Sequence, residues 1–309
     1  MTFKKAAIAT LAFLLGLPVA LLSVVLLCAV VFNQTNGTVE TQGKTRRYLL
    51  HVPARYDASK PTALVVSLHP AMSWPAFQMN LTHWNRVADQ NGFLVVYPEG
   101  RGAGPRIWDP EGGRDPKHMP DVVFLSDLID ALQRRYNIDP ARIYVDGMSN
   151  GGGMAFVLSC TLADRIAAIG AVAAAQSLPW EWCQDHHPLP MLAIHGTADP
   201  VVPYLGGKVW IAPDPFPGVM TWAANWARRN RCDGNPLRTR ISSVVAVTTY
   251  GNCADDASVV LYTITGAGHT WPGGKPLWFP FVGPQTDAID ATATLWAFFV
   301  AHPKPVSPS

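Results

Sequence analysis

Ser149 stands in Gly147-Met148-Ser149-Asn150-Gly151, within the longer run VDGMSNGGGM. A serine hydroxyl is a weak nucleophile. It attacks a carbonyl carbon when a neighbouring base takes its proton and a carboxylate holds that base in the right tautomer. Both partners follow downstream, in the order serine, carboxylate, histidine. Asp199 lies in HGTADPVVP, directly after the apolar run MLAI, and His269 lies in GAGHTWPGG, directly after VVLYTIT. The set Ser149, Asp199 and His269 therefore points to acyl transfer through a covalent acyl-serine. His69 and His195 also end strand-like runs, and they read as ordinary hydrogen-bonded histidines. The tetrahedral intermediate needs two backbone N–H donors. Asn150, next to the nucleophile, supplies one. The loop HPAMSW supplies the other, and since Pro70 has no N–H, Ala71 is the candidate.

Such residues work only if the chain brings them to one place. A β-like run, Ile143 to Asp146, precedes the serine, and a small-residue helix from Asn150 to Cys160 follows it. That is the strand–turn–helix of a nucleophile elbow, where glycines leave room for a strained turn. Strand and helix signals alternate along the rest of the chain: RRYLLHV, TALVVSLH, FLVVYP, RIYVD, AAIGAVA, MLAIHG and VVLYTITG read as strands, separated by helical segments. Asp121 is expected to cap a helix running to Tyr136. Continuous apolar strands alternating with helices predict an α/β fold, a mostly parallel sheet covered by helices on both faces. Asp199 and His269 then fall at the carboxyl edge of that sheet. Two segments rich in proline, glycine and aromatics, 204–218 and 273–284, read as long loops. The second begins just after His269, so Trp271 and Phe279 are expected to line an acyl or aryl pocket.

The 309 residues carry 24 Lys and Arg against 22 Asp and Glu, a net charge of +2, with no basic stripe. That argues against nucleic acid as a partner. Residues 1–32 hold Lys4 and Lys5 followed by an uncharged apolar run from Ala6 to Phe32, long enough to cross a bilayer. They read as a membrane anchor, or as a cleaved export signal. Residues 33–44 read as a polar linker, 45–303 as the catalytic domain and 304–309 as a loose tail. The domain is thus expected outside the cytoplasm, tethered to the membrane or secreted. Four cysteines, Cys160, Cys183, Cys232 and Cys253, form two sequence-local pairs, expected as Cys160–Cys183 and Cys232–Cys253 disulfides in an oxidising compartment. No cysteine or histidine spacing suggests a metal site, and the chemistry requires no cofactor.

Together LVVSLH, GFLVVYPEG, GMSNGGGM, IHGTADPVVPY and GAGHTWPGG resemble the esterases of the poly(3-hydroxybutyrate) depolymerase and feruloyl esterase group, carbohydrate esterase family one, from about Arg46 to Phe299. The resemblance implies an α/β-hydrolase fold, a Ser149–Asp199–His269 triad, and a small-molecule or oligomeric carboxylic ester as substrate. The cysteine pairs and RIWDP, with Trp108, also resemble this group and place Trp108 near the substrate. One departure falls at His69-Pro70, where the group usually carries His-Gly. Proline fixes φ and bears on the orientation of the Ala71 amide. Two other readings fit the same residues: an extracytoplasmic acyltransferase acting on envelope lipids, and a hydrolase-fold protein that binds without catalysis.

Overall fold

Side chains alternate across each strand, and the alternation sorts them into two cores. In β3 (Thr62–Leu68), Leu64, Val66 and Leu68 enter one buried cluster while Ala63 and Val65 enter the other. The computed structural model describes residues 33–102, 104, 106–109, 119–174, 176, 178–183, 187–208, 215–277 and 279–305. The N-terminal anchor read from residues 1–32 lies outside them, as do the last four residues of the tail. Among the described residues, no helix is long and apolar enough to cross a membrane.

The remaining strands are β1 (Gly37–Thr41), β2 (Lys44–His51), β4 (Leu94–Pro98), β5 (Ile138–Met148), β6 (Ala168–Val172), β7 (Met191–Gly196), β8 (Leu237–Arg240), β9 (Val245–Tyr250) and β10 (Val259–Ile264). They form a sheet of ten strands in the order β1-β2-β4-β3-β5-β6-β7-β10-β9-β8. The six strands from β4 to β10 in that order run parallel, and antiparallel pairs close both edges. This is the mostly parallel sheet expected.

Helices cover both faces. On one, α3 (Pro120–Arg135), α4 (Asn150–Ser159) and α5 (Val219–Arg229) bury Leu125, Leu128, Phe156, Trp222 and Trp226. On the other, α1 (Pro75–Thr82), α2 (Trp84–Asn91) and α6 (Ala291–Ala301) bury Leu81, Trp84, Leu295 and Phe299. The Trp84 and Phe299 rings stack at 6.1 Å, and Tyr144 of β5 stacks on Phe299 at 4.8 Å.

Two expectations need correction. The stretch read as a linker carries β1, which pairs with β2 through Thr41↔Lys44. Its polar, half-exposed pattern hid an edge strand. Asp121 is not a helix cap either: α3 starts at Pro120, with Met119 in the capping position. The Asp121 carboxylate is fully buried. It pairs with Arg46 at 2.9 Å and accepts the Asp109 N–H at 3.0 Å, so it ties β2 and the segment after β4 to α3. Both disulfides form as expected, Cys160–Cys183 and Cys232–Cys253.

Candidate active site

β5 runs straight into Ser149, which opens α4. Its backbone sits at φ 54° and ψ −121°, a region that L-residues avoid. Strain of this kind persists only where the surroundings impose it. Here they do. The Ser149 N–H donates to Val172 O at 2.9 Å, and Ser149 O accepts the Gly153 N–H at 2.9 Å. The two flanking glycines are required by space. A Cβ on Gly147 would lie 2.3 Å from the Gly151 carbonyl carbon, and one on Gly151 would lie 2.3 Å from Leu68 O. The Ser149 side chain makes no capping bond to its helix, so the hydroxyl is not consumed by local structure.

β7 and β10 are parallel neighbours, with Gly196 opposite Ile264. The turns that follow them leave the same end of the sheet side by side. One carries Asp199 and the other His269. Asp199 Oδ2 accepts from His269 Nδ1 at 2.8 Å, and Asp199 Oδ1 accepts the Val201 and Val202 N–H groups, each at 2.8 Å. Burial alone would raise the Asp199 pKa. Hydrogen bonds from His195 and His269 outweigh it and hold the carboxyl well below the usual range, so it stays ionised. A carboxylate can only accept, so His269 carries its proton on Nδ1 and leaves Nε2 free to take another. The His269 loop is itself held: Gly268 N–H donates to Pro284 O at 2.8 Å, and His269 N–H to Val282 O.

His195 has a larger part than the sequence suggested. Its Nε2 lies 2.9 Å from Val202 O and 3.3 Å from Asp199 Oδ2. Both are acceptors, so Nε2 carries the proton and shares it between them. The four-residue spacing to Asp199 was the available signal, but only the turn shows that it folds back.

Asn150, as the first helical residue, has a backbone N–H with no intrahelical acceptor. Its side chain holds Trp108 instead. Oδ1 accepts the Trp108 N–H at 2.7 Å, and Nδ2 donates to Trp108 O at 3.0 Å. Ala71 lies in an exposed turn between β3 and α1, and its N–H makes no backbone hydrogen bond among the described residues. Trp108 and Trp271 do not stand as open substrate walls. Trp108 is buried, and its indole N–H donates to His69 O at 2.9 Å, which joins the elbow to the loop before Ala71. Trp271 is also buried, with its indole N–H on Thr292 Oγ1 at 3.0 Å, packing the His269 loop onto α6. Phe279 is half exposed and stacks on Phe281 at 5.4 Å, in the segment that holds the His269 loop.

Comparison with known proteins bears on the family and the fold. A family model described as phospholipase/carboxylesterase matches residues 110–210. Feruloyl esterase B of Piromyces equi is 30% identical over 240 residues, 75% of this chain and 44% of that protein. The bifunctional acetylxylan esterase/xylanase XynS20E of Neocallimastix patriciarum is 30% identical over 239 residues, 76% of this chain and 32% of that protein. The chain thus spans less than half the length of either. Feruloyl esterase C of Emericella nidulans is 29% identical over 280 residues, 86% of this chain and 87% of that one. Among solved structures, an acetyl xylan esterase from Aspergillus awamori superposes with a TM-score of 0.60 at 15% identity, covering 76% of this chain and 93% of that one, which speaks to the fold. With the fold, the elbow and these relatives together, the chain belongs to the feruloyl esterase-like α/β-hydrolases.

Proposed function

We propose that this chain is an exported serine carboxylic-ester hydrolase working through a Ser149–Asp199–His269 triad. Ser149 Oγ attacks the ester carbonyl carbon while His269 Nε2 takes its proton. The carbonyl oxygen gains the negative charge, and the Asn150 and Ala71 N–H groups hold it. Ionised Asp199 stabilises the imidazolium through Nδ1–H. Collapse of the intermediate breaks the bond to the alkoxy oxygen, and His269 returns the proton to the departing alcohol. Water, deprotonated by the same Nε2, then cleaves the acyl-serine and releases the acid. The reading rests above all on the 2.8 Å bond between His269 Nδ1 and Asp199 Oδ2, after strands of the same parallel sheet whose β5 leads into a serine held at φ 54°.

For the acyl group we propose feruloyl or acetyl esters, the acyl groups in the relatives' names. The exposed Phe279–Phe281 stack supports an aryl acyl group. The two disulfides support function in an oxidising compartment outside the cytoplasm.

Kinetics on methyl ferulate and 4-nitrophenyl acetate test this. Ser149→Ala should lower kcat by several orders of magnitude, up to about a millionfold, with the melting temperature nearly unchanged. Normal turnover by the folded variant would refute the assignment.

A further inference from the structure

We propose that His69 is a positioning residue whose imidazole, by holding the Pro70 carbonyl, aims the Ala71 N–H out of its loop as an oxyanion donor. The inference rests on the hydrolase reading above and goes beyond it, to what sets the geometry of that donor.

The ring of His69 is fully buried at the end of β3 and has two fixed partners. The Gly100 N–H lies 3.0 Å from Nε2, and Pro70 O lies 2.8 Å from Nδ1. An amide N–H can only donate and a carbonyl can only accept. Nε2 is therefore the lone-pair nitrogen, and Nδ1 carries the proton and donates to Pro70 O. A protonated ring would set Nε2–H against the Gly100 N–H. Burial favours the neutral ring too, pushing the pKa down to about 4.

The next step is peptide geometry. The Pro70–Ala71 bond is trans, as no cis peptide occurs among the described residues. In a trans peptide the C=O of one residue and the N–H of the next point in opposite directions within one plane. A Pro70 carbonyl pinned inward on the buried ring turns the Ala71 N–H the other way, to the exposed side of the loop. The adjoining peptide is pinned as well, because the Trp108 indole N–H donates to His69 O. Trp108 in turn is held by the side chain of Asn150, next to the nucleophile.

The far side of the ring is anchored just as firmly. Glu99, beside Gly100, accepts from Arg47 at 2.9 Å and from Arg106 at 2.9 Å. Proline at position 70 then serves the same end. It gives up an N–H that no step uses, and its ring fixes φ of Pro70, which sets the Pro70 carbonyl carbon relative to the pinned His69–Pro70 peptide. The swing of the next plane is held by the His69 bond.

Two substitutions separate this role from simple packing. In His69→Asn the side-chain amide occupies the Nδ1 site and can still donate to Pro70 O. In His69→Gln the amide reaches the Nε2 site and leaves Pro70 O without a donor. The experiment combines crystal structures of both variants with kcat and KM on 4-nitrophenyl acetate. In His69→Gln we expect the Pro70–Ala71 plane to turn and kcat to fall about 100-fold, the size of a lost oxyanion donor, with KM nearly unchanged. His69→Asn should keep the plane and most of kcat. A plane that stays in place in His69→Gln overturns the inference. So do equal kcat losses in both variants that track a lower melting temperature. A plane that turns while kcat holds overturns instead the assignment of Ala71 to the oxyanion, and normal turnover by folded Ser149→Ala overturns the hydrolase reading itself.

Discussion

Asp199 keeps its charge in a buried turn because four N–H groups converge on it: two from the backbone, one from His269 and a shared one from His195. Its folded pKa lies below the unfolded value of about 3.9. Such a group adds stability above the unfolded value, and that stability is lost as pH falls through the folded value. In His195→Leu the folded value should move up, and the added stability should shrink. We expect a loss of about 1.5–3 kcal/mol at neutral pH, typical of a hydrogen bond to a charged group, and acid unfolding at a higher pH, followed by circular dichroism. If about 1.4 kcal/mol of that reaches the transition state, kcat falls tenfold. An unchanged acid midpoint would show that His195 does not support the carboxylate. The residues proposed as nucleophile, acid and base were legible as candidates because their order and strand-end settings are carried by local sequence. The roles of His195, His69 and Trp108 were not. Their partners include backbone atoms brought in by folding, such as Gly100 N, His69 O and Val202 O, and only the four-residue spacing of His195 to Asp199 left a trace in the sequence.

Asp146 shows a different effect within one element, on β5 three residues before Ser149. Its carboxyl is fully buried and accepts from Ser67 Oγ at 2.7 Å, while Gln78 Nε2 donates to that same hydroxyl at 3.1 Å. Burial pushes its pKa up to about 8, so the folded protein holds it as a neutral acid at neutral pH. The sign follows from linkage. A group with a raised folded pKa favours folding fully below its unfolded value, and that contribution is lost as pH rises towards the folded value. Stability should therefore fall as pH rises from about 4 towards 8. Asp146→Asn keeps an acceptor for Ser67 and has nothing to titrate. Its melting temperature should exceed that of the wild type increasingly from pH 5 to 8, and parallel curves would contradict the neutral acid. The parallel strands were readable because both of their faces are buried and their runs are continuously apolar. The edges were not. Every residue of β8 is exposed, so Leu237–Arg240 has no hydrophobic pattern to follow, and α1, only eight residues long with Pro75 at its start, carries no clear apolar stripe.

Over the whole molecule the two disulfides tie helix ends to distant loops. Cys160 follows the last residue of α4, the helix that Ser149 opens, and Cys232 lies just beyond α5. They close sequence separations of 23 and 21 residues, each stabilising by about 3 kcal/mol. At about 2–4 °C per kcal/mol for a domain of this size, full reduction should lower the melting temperature by on the order of 10 °C or more. Calorimetry with and without a reductant reads this, and coincident melts would mean that the bonds carry no such load. Their pairing was legible because each partner is the nearest cysteine in sequence.

The central claim is that Ser149, alone among the serines, is an activated nucleophile. A fluorophosphonate tests it without knowledge of the natural ester. Serine oxygen attacks phosphorus, fluoride leaves, and the adduct adds a fixed mass. Intact-protein mass spectrometry should show one adduct per chain, peptide mapping should place it on Ser149, and His269→Ala should label far more slowly. An unlabelled folded wild-type protein, or an adduct on another residue, would contradict the triad.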